Sequence, residues 1–141
     1  MKFKFFPHTA DIIFEAYGQT IEKVFENSGL ALEEIMVEVD TVKNKESFDF
    51  TLEAETTENL LYDFLSELIF VKDTEGLLFN KFEVTIIHKN KKYELLAKCE
   101  GENIDKERHK LGNDAKAITM HEFEIKQDEK GKWISRVLVD I

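Results

Sequence analysis

The chain has 141 residues, 43% hydrophobic and 34% charged, enough for one globular domain with an unaided core. Its 29 acidic and 19 basic side chains leave a net charge of −10, which opposes direct binding to nucleic acid and favours cations or a basic protein partner. A lone cysteine, Cys99, excludes an internal disulfide and a cysteine-rich zinc site, and no apolar run approaches the roughly 18–20 residues that span a bilayer, so the chain reads as cytoplasmic with no membrane segment.

Lys2–Phe6 reads as a short strand interrupted by Pro7, and Ile12–Tyr17 resumes extended character until Gly18. Thr20 offers an N-cap, and Ile21, Val24, Phe25, Leu32 and Ile35 form one apolar face of a helix over about 20–35. Gly29 weakens that helix, which implies close packing at that point. Phe48, Phe50 and Leu52 alternate with polar residues, as a half-buried strand does.

Thr56 or Thr57 can cap the next helix. There Leu60, Leu61, Phe64, Leu65, Leu68 and Ile69 give the strongest helical signal in the chain, ending near Asp73. Leu77–Phe79 is an apolar patch. Phe82–His88 and Tyr93–Cys99 form a hairpin around the basic turn Lys89-Asn90-Lys91-Lys92. Glu100–Gly112 is polar and reads as irregular, and a second hairpin pairs Ala117–Ile125 with Trp133–Ile141. The order is ββαβαββββ. It predicts an α+β fold over residues 1–141, a single compact domain with two helices packed on mixed or antiparallel β-sheet.

Three constellations carry possible chemistry. Asp11, Asp140 and the carboxylate of Ile141 would suit a hard divalent cation if the fold brought them together. Taken singly, Asp11 reads as capping a turn after Pro7, and Asp140 as a solvated charge at a strand end. His8 can orient Asp11 or simply finish a strand. Arg108 and His109 sit side by side in an acidic segment: an arginine for clamping a carboxylate or phosphate and a histidine for titration near neutrality, or a local ion-pair network with Asp105, Lys106 and Glu107. Lys116 and His121 flank the start of a strand that would share a sheet surface with that segment. No phosphate-binding glycine loop, nucleophile elbow or helical metal-histidine pair is visible, so no catalytic residue is assigned.

Read together, Pro7-His8-Thr9-Ala10-Asp11, Leu60–Leu68, Gly101-Glu102 through Asp105 with Arg108-His109, Lys116-Ala117-Ile118-Thr119 with His121, and Arg136–Ile141 resemble the archease family, in its order and at its length. The resemblance implies an accessory protein of tRNA splicing rather than an enzyme. It would activate an RtcB-type RNA ligase by promoting its guanylylation and multiple turnover, and broaden its nucleotide use, meeting RNA only through the ligase. It also implies a divalent-cation site, Ca2+ with Mg2+ or Mn2+ as alternatives, held by Asp11, Asp140 and the Ile141 carboxylate and supported by His8. Lys116, with Arg108 and His109, would face the ligase or its nucleotide. Ile13 and Asn113-Asp114 depart from the family's usual residues without touching these ligands. The alternative is a general chaperone or stabiliser of RNA-modifying enzymes that uses an exposed apolar patch such as Leu77-Leu78-Phe79.

Overall fold

Threonine hydroxyls open both helices. Thr20 accepts from the Lys23 N–H at the head of α1 (Ile21–Met36), and Thr56 from the Asn59 N–H at the head of α2 (Thr57–Glu75), each at 3.1 Å. Each cap satisfies a main-chain donor that has no partner within the helix, worth about 1 kcal/mol. Gly76, at φ 66°, ends α2 in the left-handed conformation and donates to the Lys72 carbonyl.

The computed structural model describes residues 1–7 and 10–141, leaving out the placement of His8 and Thr9 and the side chain of Pro7. The strands are β1 (Phe3–Pro7), β2 (Asp11–Gly18), β3 (Glu46–Ala54), β4 (Leu77–Lys89), β5 (Lys92–Asn103), β6 (Ala117–Gln127) and β7 (Trp133–Asp140). They form a four-stranded sheet in the order β1-β2-β7-β6 and a three-stranded sheet in the order β3-β5-β4, and every pairing is antiparallel. The expected order of elements is the observed one, with a 3-10 turn at Val39–Thr41 added between α1 and β3.

The helices cover the inner faces of both sheets, and the core is rich in phenylalanine. Phe64 of α2 stands 5.7 Å from Phe25 of α1 and 5.9 Å from Phe50 of β3, ring centre to ring centre. Burying each such ring contributes roughly 1.5–3 kcal/mol. Gly29 is where α1 meets β4: a Cβ there would lie 2.9 Å from the Phe82 ring, which is the close packing its presence in a helix implied. Ser28 and Ser135 share a buried hydrogen bond of 2.8 Å that joins α1 to β7.

Two expectations need correction. Leu77–Phe79 is not a separate patch but the start of a 13-residue strand, with a register shift between Phe79 and Lys81. Leu78 and Phe79 are fully buried, so they offer no docking surface to a client protein. Likewise Glu100–Asn103 is not irregular: it continues β5, paired with Leu77–Lys81 on one side and reaching β3 at Glu46 and Ser47 on the other. Polar composition hid this because a central strand is held by its two neighbours whatever its own propensity. Among the described residues no helix is long and apolar enough to cross a membrane.

Candidate functional site

The register of β2 against β7 decides the geometry. Asp11 pairs with Asp140, Ile13 with Leu138 and Glu15 with Arg136. Residues directly opposite in an antiparallel pair share a face, with Cβ atoms about 4.5–5.5 Å apart. The Arg136 guanidinium donating to Glu15 at 3.0 Å shows that face at work four residues further along. Val137 and Val139, on the other face of β7, are fully buried in the core, while Asp140 stays half-exposed, as does Asp11 opposite. Strand pairing therefore brings together two aspartates from opposite ends of the chain.

Further donors lie at the same strand end. Ile141 follows Asp140 and is half-exposed. On the other side of β7, Ala117 pairs with Asp140, and the Lys116 N–H donates to the Asp140 carbonyl at 2.8 Å. Lys116 is exposed. His8 lies outside the described residues. Two like charges directly opposite in a sheet are unfavourable, and an all-oxygen carboxylate set is the chemistry that a hard divalent cation takes. The paired aspartates thus fit such a cation in the chemistry of their donors. Among the described residues no group of three His, Cys, Asp or Glu side chains forms a metal cluster.

Lys116 closes a segment, 104–116, that runs from β5 to β6 and is fastened at both ends. At the first end the hub is Glu102, buried on β5. Its Oε1 lies 2.5 Å from Arg108 Nη2 and 2.6 Å from His109 Nε2, and accepts the Lys43 N–H at 3.0 Å. The Asp105 N–H donates to His109 Nδ1 at 2.9 Å, so the ring carries its hydrogen on Nε2 and gives it to Glu102. Burial works against the charge of Glu102, but the bonds from Arg108, Lys43 and His109 outweigh it and hold the carboxyl at about 2, below its usual 4.5. Arg108 Nη1 also reaches the Thr41 carbonyl at 3.0 Å.

This placement corrects the expectation for the pair. The His109 side chain has 0% exposure and looks inward to Glu102, so it supports the segment instead of presenting a ring to a partner. Arg108 is 33% exposed and committed to the same carboxylate. An ion-pair network was one of the readings the sequence allowed, but its centre is Glu102, six residues upstream, with Asp105 a distant 3.8 Å contributor. His121 is exposed in the stretch between Thr119 and Glu124, where β6 slips register against β7, so it does not continue the sheet surface that Ala117 and Thr119 begin.

The second end is tied to both helices. The Gly112 and Asn113 N–H groups donate to the Met36 and Ile35 carbonyls at 2.8 and 2.9 Å, capping the C-terminus of α1. A Cβ on Gly112 would sit 2.5 Å from the Ile35 oxygen, so only glycine allows this approach. From the last turn of α2, Lys72 Nζ donates to Asp114 Oδ1 at 2.6 Å and to the Ala115 carbonyl at 3.1 Å. The sequence reading missed Lys72, whose only local signal is a lysine near a helix C-terminus.

The sequence matches the Archease protein family (MTH1598/TM1083) over residues 3–141. It is 40% identical to protein archease of Pyrococcus abyssi over 140 residues, covering 99% of each chain. It is 42% identical to protein archease of Methanothermobacter thermautotrophicus over 139 residues, covering 99% of this chain and 98% of the other. The fold is similar to the solution structure of Methanobacterium thermoautotrophicum protein 1598, with a TM-score of 0.88, 41% identity, and coverage of 99% and 98%.

Proposed function

Because the chain belongs to the archease family, we propose that it is a cytoplasmic accessory protein of tRNA splicing that activates an RtcB-type RNA ligase. It promotes guanylylation of the ligase and its multiple turnover, and it broadens the nucleotides the ligase accepts. Asp11, Asp140 and the Ile141 carboxylate hold a divalent cation, Ca2+ with Mg2+ or Mn2+ as alternatives. Bound there, the cation supplies positive charge that nucleotide phosphates or ligase carboxylates can meet. Lys116 adds a flexible ammonium beside it, and Arg108 and His109 brace the segment that carries Lys116.

The observation that carries this reading is the pairing of Asp11 with Asp140 beside the chain terminus and Lys116. The net charge of −10 supports contact with RNA only through the ligase, since nothing in that balance neutralises phosphates in bulk. The chaperone alternative loses the patch named for it, because Leu78 and Phe79 are core residues.

The test is multiple-turnover ligation of a cleaved tRNA by a cognate RtcB-type ligase, with and without this protein. Wild type should stimulate, and Asp11→Ala and Asp140→Ala should not while remaining folded. Stimulation by all three proteins would remove the site, and stimulation by none would remove the role.

A further inference from the structure

We propose that Lys72 is a positioning residue for the candidate site, a clamp that sets Lys116 and the end of β7 from the C-terminus of α2. This rests on the functional reading above and names a part of the site that lies outside it. Lys72 is 8% exposed, unusually buried for a lysine, and its ammonium is fully employed. It meets Asp73 and Asp114 at 2.6 Å each and the Ala115 carbonyl at 3.1 Å.

Each bond has a different consequence. Asp73 is the next residue of the same helix, so that contact fixes the ammonium without reaching elsewhere. Asp114 and Ala115 belong to the segment that leads into β6. Ala115 is fully buried, and the following N–H, that of Lys116, is the one that donates to the Asp140 carbonyl at 2.8 Å. The path from Lys72 to the candidate site is therefore three consecutive residues of main chain, bonded at both ends. The α1 carbonyls hold Gly112 and Asn113 but reach no further along the segment.

A lysine is suited to this task because its ammonium has three donors and all three find acceptors here. Asp114 is 70% exposed and would stay solvated if the clamp were removed. A methionine at position 72 keeps the buried stem and loses the charge, so the fold survives while the segment is released.

The experiment uses the full chain with Lys72→Met, Lys72→Arg and Asp114→Asn, read in two ways. Amide hydrogen exchange at Lys116 needs no ligase, and it should speed up in Lys72→Met and Asp114→Asn while the α2 amides keep their protection. In the ligation assay the maximal stimulation by Lys72→Met should fall roughly tenfold to a hundredfold, the scale on which a displaced functional group costs rate. Lys72→Arg, which keeps the charge and the donors, should recover most of both readouts. Wild-type exchange at Lys116 in Lys72→Met would overturn the clamp. So would full stimulation by Lys72→Met beside an inactive Asp11→Ala. If wild type fails to stimulate any ligase, the functional reading falls, and the exchange data still decide the clamp.

Discussion

Glu33 and Phe79 meet inside the core, where the carboxyl of one accepts the main-chain N–H of the other at 3.0 Å. The contact solves a problem of the three-stranded sheet. β4 is an edge strand, and its outward N–H groups would template pairing with another chain. α1 lies along that edge, and Glu26 takes the Val84 N–H at 3.0 Å as Glu33 takes that of Phe79. The helix thus closes the edge with acidic side chains.

That closure has a pH cost. Glu33 is fully buried, and among the described residues its Oε2 has no hydrogen-bond partner. Burial pushes its carboxyl from 4.5 up to about 8, against the pull of the Phe79 N–H and the charge of Lys72. Between those values the native chain holds a proton that the unfolded chain has released. Stability therefore falls as pH rises through the window, by up to about 1.4 kcal/mol per pH unit. Glu33→Gln cannot ionise, so denaturant unfolding of that variant should be nearly flat from about pH 5 to about pH 8 where wild type slopes down. Parallel curves for the two proteins would falsify the buried neutral acid.

Glu102 has the opposite sign. Its folded pKa of about 2 lies below the ordinary 4.5, so its contribution is complete above the ordinary value and is lost as pH falls through that window. Glu102→Gln should cost roughly 2–4 kcal/mol at neutral pH, because Arg108 and His109 lose the acceptor they converge on. The same variant should shed part of the wild-type acid limb, and the amides of Asp105 and His109 should exchange faster. An unchanged acid limb would show that other carboxylates govern it.

How far these features were legible varied by residue. Period-2 alternation in Phe48–Leu52 and the apolar stripe of Leu60–Ile69 read directly as β3 and α2, since each face has one environment. Period-2 alternation likewise puts Asp140 on the face of β7 that carries Ile134, Arg136 and Leu138. Its pairing with Asp11 rested on the family resemblance alone, because register between strands so distant in sequence is fixed by the whole sheet and leaves no local trace. Glu102, Glu33 and Lys72 stayed hidden for a related reason. A charged side chain looks solvated in sequence, and only the packed structure supplies the acceptors and donors that let it be buried.

Cation-dependent stability separates the side chains of the candidate site from the proposed terminal carboxylate. Asp11 and Asp140 stand opposite each other, so without a cation their charges repel, and Asp140→Asn in chelator should match or exceed wild-type stability by roughly 0.2–1 kcal/mol. With Ca2+ at a hundred times its dissociation constant, wild type should gain about 2.7 kcal/mol, and Asp140→Asn should gain little. A chain extended by one alanine after Ile141 keeps both aspartates and moves the terminal charge about 3.3 Å along the strand direction. Its stability in chelator should equal that of wild type, because Ile141 lies beyond the last paired residue of β7. Its gain from Ca2+ should be smaller, because one donor has left the set. Thermal unfolding of the three proteins in chelator and in Ca2+ measures each quantity, and an undiminished gain in the extended chain would leave the aspartates as ligands and remove the terminus.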